Sequence, residues 1–354
     1  MTQEAETATD GVRVVFQAGV KDILVAETQR LGAKNALVLS TPQQSDAALE
    51  MAETLGELAA GVFCQAAMHT PVTVTEAAMA HAKEVAADCI ISIGGGSTIG
   101  LGKAIAYRTG LPQIVIPTTY AGSEATPILG QTENGIKTTL SHPEVLPEVI
   151  LYDPECVATL PVAMTVTSAL NAMAHAAEAL YARDRTEKTV HLAIDGLKAF
   201  VGGLPRVLAA PTDLAARAET QRGAWACGTV LGQVGMALHH KLCHTLGGSF
   251  DLPHAETHAI VLPHAIAYNA RAAATELLPI CDLLGGENAG RALYDFAQKL
   301  GAPLALRDLG LKEEDLDRAA ELATTKPYPN PQPVTRDDIR ALLQAAWAGT
   351  PPAH

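Results

Sequence analysis

The chain lacks an excess of basic residues: over its 354 positions, 25 Lys and Arg stand against 38 Asp and Glu, a formal net charge of −13 at pH 7. A nucleic-acid binder needs a basic footprint, so that class is disfavoured. No run of about 18 apolar residues occurs, so a transmembrane helix is not expected. The six cysteines (Cys64, Cys89, Cys156, Cys227, Cys243, Cys281) form no CxxC pair and read neither as a zinc knuckle nor as a disulfide framework. A reduced, cytoplasmic compartment is the simplest expectation. The polar, acidic segment Met1–Asp10 has neither the basic start nor the apolar stretch of a signal peptide. No internal repeat or long low-complexity tract is present. The rest is ordinary globular composition, 48% hydrophobic and 18% charged, with length for two domains or one large one.

The first part alternates strand and helix signals. Strands are expected at Val12–Gln17, Asn35–Leu39, Gly61–Cys64, Cys89–Ile93, Gln113–Ile116 and Val149–Tyr152. Helices are expected at Ile23–Leu31, Ser45–Ala60, Thr73–Ala87 and Ser97–Arg108. The strand runs are continuously apolar, as in a mostly parallel sheet covered on both faces. From about Pro161 onward the segments are rich in Ala and Leu, strong helix formers, with breaks expected at Gly202–Pro205, Gly247-Gly248, Gly285-Gly286 and Lys326–Pro333, the last a surface loop. The reading is an α/β domain over 1–160 followed by an all-helical domain over 161–354.

Two strand ends carry the first functional signal. Cys89–Gly102 (CIISIGGGSTIGLG) runs a buried strand into three glycines, Ser97, Thr98 and a helix. Glycines let a diphosphate approach the backbone, and a helix N-terminus offers free N–H groups. The GxGxxG spacing fails at Ile99, no acid follows about 20 residues on, and Lys103 lacks a GxxxxGK[ST] frame. A tight turn without ligand is the competing reading. Gln113–Glu124 (QIVIPTTYAGSE) ends a second strand in Thr118, Thr119, Gly122 and Ser123, and open α/β sheets bind ligands beyond such carboxyl ends. Here the alternative is a polar loop capping the next helix.

The second signal is histidine. Of 12, six (His239, His240, His244, His254, His258, His264) lie within residues 239–264. Trp225–Leu246 reads as one helix, with His240 and His244 sharing a face at i, i+4 and Gly247-Gly248 ending it. Asp251 and Pro253 suit the start of a next helix carrying His254 and His258. Asn171 and His175 share a face of a third. Such imidazoles can bind a divalent metal, act as acids or anion ligands, or be satisfied core residues. The core reading is preferred for His258 and His264, and no role is assigned to His69, His81, His142, His191 or His354.

These residues carry a resemblance. With Gly94–Ser97, Pro117–Glu124, Leu151–Pro161, Asn171–Tyr181 and His239–Pro263, the chain resembles the iron-containing alcohol dehydrogenase superfamily and, within it, the maleylacetate reductases. The resemblance implies the dehydroquinate synthase-like, iron-containing alcohol dehydrogenase fold: an α/β dinucleotide-binding domain, an all-α substrate domain, an active site in the cleft between them, and a homodimer. It implies NADH or NADPH contacts at Gly95, Gly96, Ser97, Thr98, Thr118, Thr119, Tyr120, Ser123 and Ser40. Lys137 matches a lysine near the nicotinamide ribose, with a solvated loop lysine as the alternative. Ser40-Thr41-Pro42 stands where NAD-preferring relatives can carry an Asp, so use of both cofactors is expected. Val115 and Ile116 read as core.

In metal-dependent members an Asp and three His occupy positions matching Asn171, His175, His240 and His254. Asn171 removes the only anionic ligand, so no tightly bound metal is expected. Lys241 adds a cation beside the site. The implied reaction is reduction of the conjugated C=C bond of maleylacetate, a small dicarboxylate, to 3-oxoadipate in aromatic-compound degradation. His240, His244 and His254 are expected around the substrate, with His175 and Lys241 supporting. A metal-dependent alcohol or glycerol dehydrogenase, a dehydroquinate synthase-type lyase and a non-catalytic nucleotide-binding protein remain as alternatives.

Overall fold

The computed structural model describes residues 4–7 and 11–352; the expectations for the other residues of Met1–Asp10 and for His354 lie outside them. The chain divides into two compact units, Met1–Leu160 and Pro161–His354. No described helix is long and apolar enough to cross a membrane.

The first unit contains β1 (Glu4–Thr7), β2 (Arg13–Phe16), α1 (Lys21–Arg30), β3 (Ala36–Leu39), α2 (Ser45–Leu55), β4 (Ala59–Phe63), α3 (Val72–Glu84), β5 (Cys89–Gly94), α4 (Gly96–Thr109), β6 (Gln113–Pro117), β7 (Ile128–Glu133), β8 (Ile136–Ser141), β9 (Val149–Tyr152) and α5 (Pro154–Ala158). Seven strands form one sheet in the order β1-β2-β9-β6-β5-β3-β4. All neighbours are parallel except β1 on β2. The strands read as unbroken apolar runs because both faces are covered. Val38, Ile91, Ile114 and Val149 pack on one side with Leu24 and Met51, and Leu37, Leu39 and Ile90 on the other with Leu101 and Ile105. Each such side chain contributes roughly 1.5–3 kcal/mol by leaving water. From β3 the chain steps outward to β4 and then returns to place β5 on the opposite side of β3. The carboxyl ends of β3 and β5 therefore flank a topological switch point, the usual ligand position in open α/β sheets.

The second unit is helical throughout: α6 (Val162–Ala179), α7 (Glu187–Ala209), α8 (Leu214–Gln233), α9 (Leu238–Phe250), α10 (His254–Ala270), α11 (Ala274–Leu284), α12 (Ala289–Lys299), α13 (Leu316–Thr324) and α14 (Arg336–Ala348). Leu242, Leu246, Ile260, Val261, Leu316, Ile339 and Leu343 form its main core.

Several sequence expectations need correction. The expected helix Ser45–Ala60 ends at Leu55, and Ala59-Ala60 open β4. The antiparallel hairpin β7–β8 was not read from the sequence, because its strands are largely polar or exposed. Gly202–Pro205 is not a break but the interior of α7. A Cβ on Gly203 would stand 2.7 Å from Thr220 Cγ2, so this glycine lets α7 and α8 approach closely, and packing overrides its low propensity. Trp225–Leu246 is not one helix, since the chain leaves helical geometry between Gln233 and Leu238. Gly247-Gly248 lie within α9, which ends at Asp251 in the left-handed region (φ 55°). The expected loop Lys326–Pro333 is irregular, but Asn330 turns inward to form a reciprocal amide pair with Asn269 (2.9 and 2.7 Å).

Candidate active site

The break before α9 is explained by Glu178 on α6. This wholly buried carboxylate accepts Ala237 N–H at 2.9 Å, His239 N–H at 2.8 Å and the Tyr181 hydroxyl at 3.2 Å. It satisfies donors that the first turn of a helix leaves open, and its charge suits the positive end of the helix dipole. Its Oε2 also accepts His240 Nδ1 at 2.7 Å. One carboxylate thus fixes both the start of α9 and the orientation of an imidazole on it. Asn269 Nδ2 donates to the Tyr181 hydroxyl at 3.1 Å, extending this network to Asn330.

Around His240 the imidazoles gather. Ring centroids lie 5.2 Å away at His175, 5.1 Å at His239, 5.2 Å at His258 and 6.1 Å at His244. His254 lies against His258, tilted, with ring centroids 4.3 Å apart. His239 Nε2 and His258 Nδ1 share a hydrogen bond of 3.0 Å. The cluster runs from exposed His244 and His254 through His240 and His175 to fully buried His239 and His258. His258, expected as a core residue, is buried as such but inside this cluster, while His264 is buried elsewhere, edge-on to Tyr294.

The protonation states differ across the cluster. Burial, reinforced by the neighbouring histidines, pushes His175 and His258 well below the usual imidazole range. Burial and His240 lower His239 to about 3, against an opposing pull from Glu178. These three are neutral at pH 7 and supply no imidazolium. Burial works to raise Glu178, but the hydrogen bond and charge of His240 outweigh it and hold the carboxyl at about 2. A carboxylate therefore stands against His240.

Asn171, His175 and Glu178 fall at i, i+4 and i+7 on one face of α6. Glu178 was missed as a functional residue, and that spacing was the signal that could have found it. Lys241 is half-buried on α9. At the positions matching metal ligands, Asn171 Oδ1, His175 Nδ1 and His240 Nε2 are buried without a protein partner among the described residues. The set contains no carboxylate, because Glu178 already serves α9 and His240. Without an anionic ligand, this donor set offers a divalent cation no formal charge compensation.

In the first unit, Gly95 caps α4, and Thr98 N–H and Ile99 N–H both donate to its carbonyl at 3.1 Å. A Cβ on Gly95 would stand 2.8 Å from Thr119 Cγ2, so this glycine lets the loops after β5 and β6 touch. A Cβ on Gly96 would meet nothing within 4 Å, leaving open space at the helix N-terminus where a diphosphate fits. Ser97 and Thr119 are half-buried beside it. Thr118 accepts from Gln44 Nε2 at 3.0 Å. Ser123 Oγ is buried without a protein partner among the described residues. These are the polar groups of the first unit that could hold a dinucleotide.

The other candidates are placed differently. Thr98 and Tyr120 are fully buried, and Ser40 is buried with its hydroxyl on the Thr41 carbonyl at 3.0 Å. Lys137 is exposed on β8 rather than in a loop, and Val115 and Ile116 are core. Lys103, set aside in the sequence, is buried on α4, with its ammonium bonded to the loop that carries Ser123. Its position four residues after core Ile99 and three before core Ala106 was the available signal.

Known proteins resemble this chain in sequence over both units and in fold. The iron-containing alcohol dehydrogenase family matches residues 11–154, and the C-terminal part of the Fe-containing alcohol dehydrogenase family matches residues 165–347. A maleylacetate reductase of Rhizobium sp. is 59% identical over 344 residues, covering 97% of this chain and 98% of that protein. One of Burkholderia cepacia is 51% identical, covering 96% and 97%. The crystal structure of maleylacetate reductase from Agrobacterium tumefaciens superposes with a TM-score of 0.95 at 58% identity, over 99% of this chain and 100% of that one. With matching sequence over both units and matching fold, the chain belongs to the iron-containing alcohol dehydrogenase family.

Proposed function

We propose that the chain is a maleylacetate reductase: an NAD(P)H-dependent, cytoplasmic, homodimeric enzyme that reduces the conjugated C=C bond of maleylacetate to 3-oxoadipate without a tightly bound metal. The observation that carries this reading is the site itself: a histidine cluster held by Glu178, with the neutral amide of Asn171 where metal-dependent relatives carry a carboxylate.

Gly95, Gly96, Ser97, Thr119 and Ser123 would hold the dinucleotide. When bound, the reduced nicotinamide supplies a hydride to the alkene carbon β to the ketone. Negative charge then develops on the ketone oxygen, and the adjacent carbon takes a proton. Because Glu178 holds Nδ1 of His240, its Nε2 is the atom turned away from the carboxylate. A proton on Nε2 can be donated, and Glu178 balances the charge that the ring carries before it leaves. Exposed His244 and His254 and half-buried Lys241 supply donors for the substrate carboxylates. In a protein of net charge −13 such a local cluster is needed to attract a dianion.

The partnerless Asn171 Oδ1, His175 Nδ1 and His240 Nε2 favour a second reading, a metal-dependent alcohol dehydrogenase. The deciding experiment follows NADH oxidation with maleylacetate in protein stripped by a chelator and assayed for metal. Full activity at negligible metal content supports the reductase. No turnover of maleylacetate, with alcohol oxidation appearing on addition of iron or zinc, replaces it with the second reading.

A further inference from the structure

Lys103 is 1% exposed, within a fold unit where a charged side chain has little reason to be buried. Its ammonium is surrounded by oxygen: the carbonyls of Ser123 (2.5 Å), Thr126 (2.7 Å) and Ile128 (3.0 Å), and the Thr126 hydroxyl (3.1 Å). Three of these acceptors are backbone atoms of the segment that continues the Thr118–Ser123 loop. Glu124 in the same segment is also buried and accepts the Tyr152 hydroxyl at 2.8 Å. The loop is thus pinned on one side by a cation and on the other by a buried carboxyl–phenol pair. Four oxygens at these distances, three of them carbonyls, are the surroundings of a dehydrated monovalent cation, and the ammonium occupies its place.

We propose that the Lys103 ammonium is a tethered monovalent cation that fixes the Thr118–Ser123 loop in its dinucleotide-binding form, which makes Lys103 a positioning residue for the cofactor. The inference rests on the reading of that loop as part of the cofactor site. Burial lowers the Lys103 pKa to about 7, against the opposing pull of Glu124, so it is the four-oxygen geometry, not the titration, that identifies the ammonium's place. Without it the carbonyls of Thr126 and Ile128 lose the ammonium, the Ser123 carbonyl keeps only its bonds from the Thr126 hydroxyl and N–H, and the loop relaxes.

The test uses the full chain with Lys103→Ala and, as a milder change that keeps the ammonium and removes one of its four oxygens together with that hydroxyl's bonds to the Ser123 carbonyl and Ile128 N–H, Thr126→Val. NADH KM, maleylacetate KM, kcat and melting temperature are measured in buffers whose only cation is tetramethylammonium. The measurements are repeated with potassium or methylammonium at equal ionic strength. For Lys103→Ala the NADH KM is expected to rise at least about tenfold while the maleylacetate KM stays within about twofold. Potassium or methylammonium should recover at least about threefold of that loss by filling the vacated oxygen cage, whereas tetramethylammonium is too large to enter. Thr126→Val should raise the NADH KM by about threefold. A role in stability alone would lower the melting temperature and leave the NADH KM of the folded fraction unchanged; that result overturns the proposal, as does an unchanged NADH KM in a stable Lys103→Ala. If Lys103→Ala does not fold, Thr126→Val decides by the same criterion. Failure of wild-type protein to bind NADH would instead overturn the cofactor reading itself.

Discussion

Replacing Glu178 by Gln removes one charge while keeping the shape, and it tests both roles of that side chain. The carboxyl is held at about 2, against an ordinary value of 4.5. At 1.36 kcal/mol per pKa unit, the fold favours the ionised form by roughly 3 kcal/mol. The amide oxygen of Gln can accept some of the four closest donors (Ala237 N, His239 N, Tyr181 Oη, His240 Nδ1), but its NH2 must face others donor to donor. Breaking a buried ionic arrangement of this kind costs about 3–5 kcal/mol, so a stability loss of about 3 kcal/mol is expected in urea unfolding. The catalytic effect is separate. An amide presenting its NH2 to Nδ1 selects the tautomer with the proton on Nε2 and cannot balance an imidazolium. Loss of such an orienting carboxylate lowers kcat on the order of a thousandfold or more. The NADH KM should not change, because no proposed cofactor residue touches Glu178. Purified Glu178→Gln, assayed by unfolding and by steady-state kinetics with maleylacetate, would refute the reasoning if kcat stayed within about threefold and stability within about 1 kcal/mol of wild type.

Gly96→Val places a side chain where nothing lies within 4 Å. It should raise the NADH KM by tenfold or more (about 1.4 kcal/mol) without lowering the melting temperature, and an unchanged KM would remove the α4 N-terminus from the cofactor site. His240→Ala and His254→Ala should each lower kcat/KM well beyond threefold (roughly 0.7 kcal/mol), and His254→Ala should act mainly through the maleylacetate KM; two near-wild-type variants would mean that the substrate binds elsewhere. His264, lowered by burial from 6.5 to about 4, is neutral when folded and takes a proton more readily when unfolded. Its contribution is complete above about pH 6.5 and is lost as pH falls toward 4, at up to about 1.4 kcal/mol per pH unit. Urea midpoints should fall across that window, less steeply in His264→Leu, and equal slopes would contradict the assignment. Protein produced in iron-supplemented medium should contain far less than one iron per chain by elemental analysis, whereas Asn171→Asp should contain more. Stoichiometric iron in the wild type would show that the neutral donor set suffices.

The sequence by itself determined a good deal here. Short, largely apolar runs of strand length that end in glycine, such as Cys89–Ile93, suit strands covered on both faces, and this one is the buried strand β5. The i, i+4 spacings of Asn171 with His175, His240 with His244 and His254 with His258 put imidazoles on common helix faces, as α6, α9 and α10 do. Such features are local, set by backbone period and side-chain chemistry. What only the tertiary structure decided depends on partners distant in the chain. Gly202-Gly203 looks like a break until α8 packs against it. The end of α8 at Gln233 is invisible until Glu178, some sixty residues earlier, meets the N–H groups of Ala237 and His239. Lys103, read in the sequence only as lacking a GxxxxGK[ST] frame, shows no partner until carbonyls from residues 123–128 surround it. In each case the deciding energy is that of a buried polar or close-packed contact, and a residue's own neighbours in sequence do not encode which distant group will satisfy it.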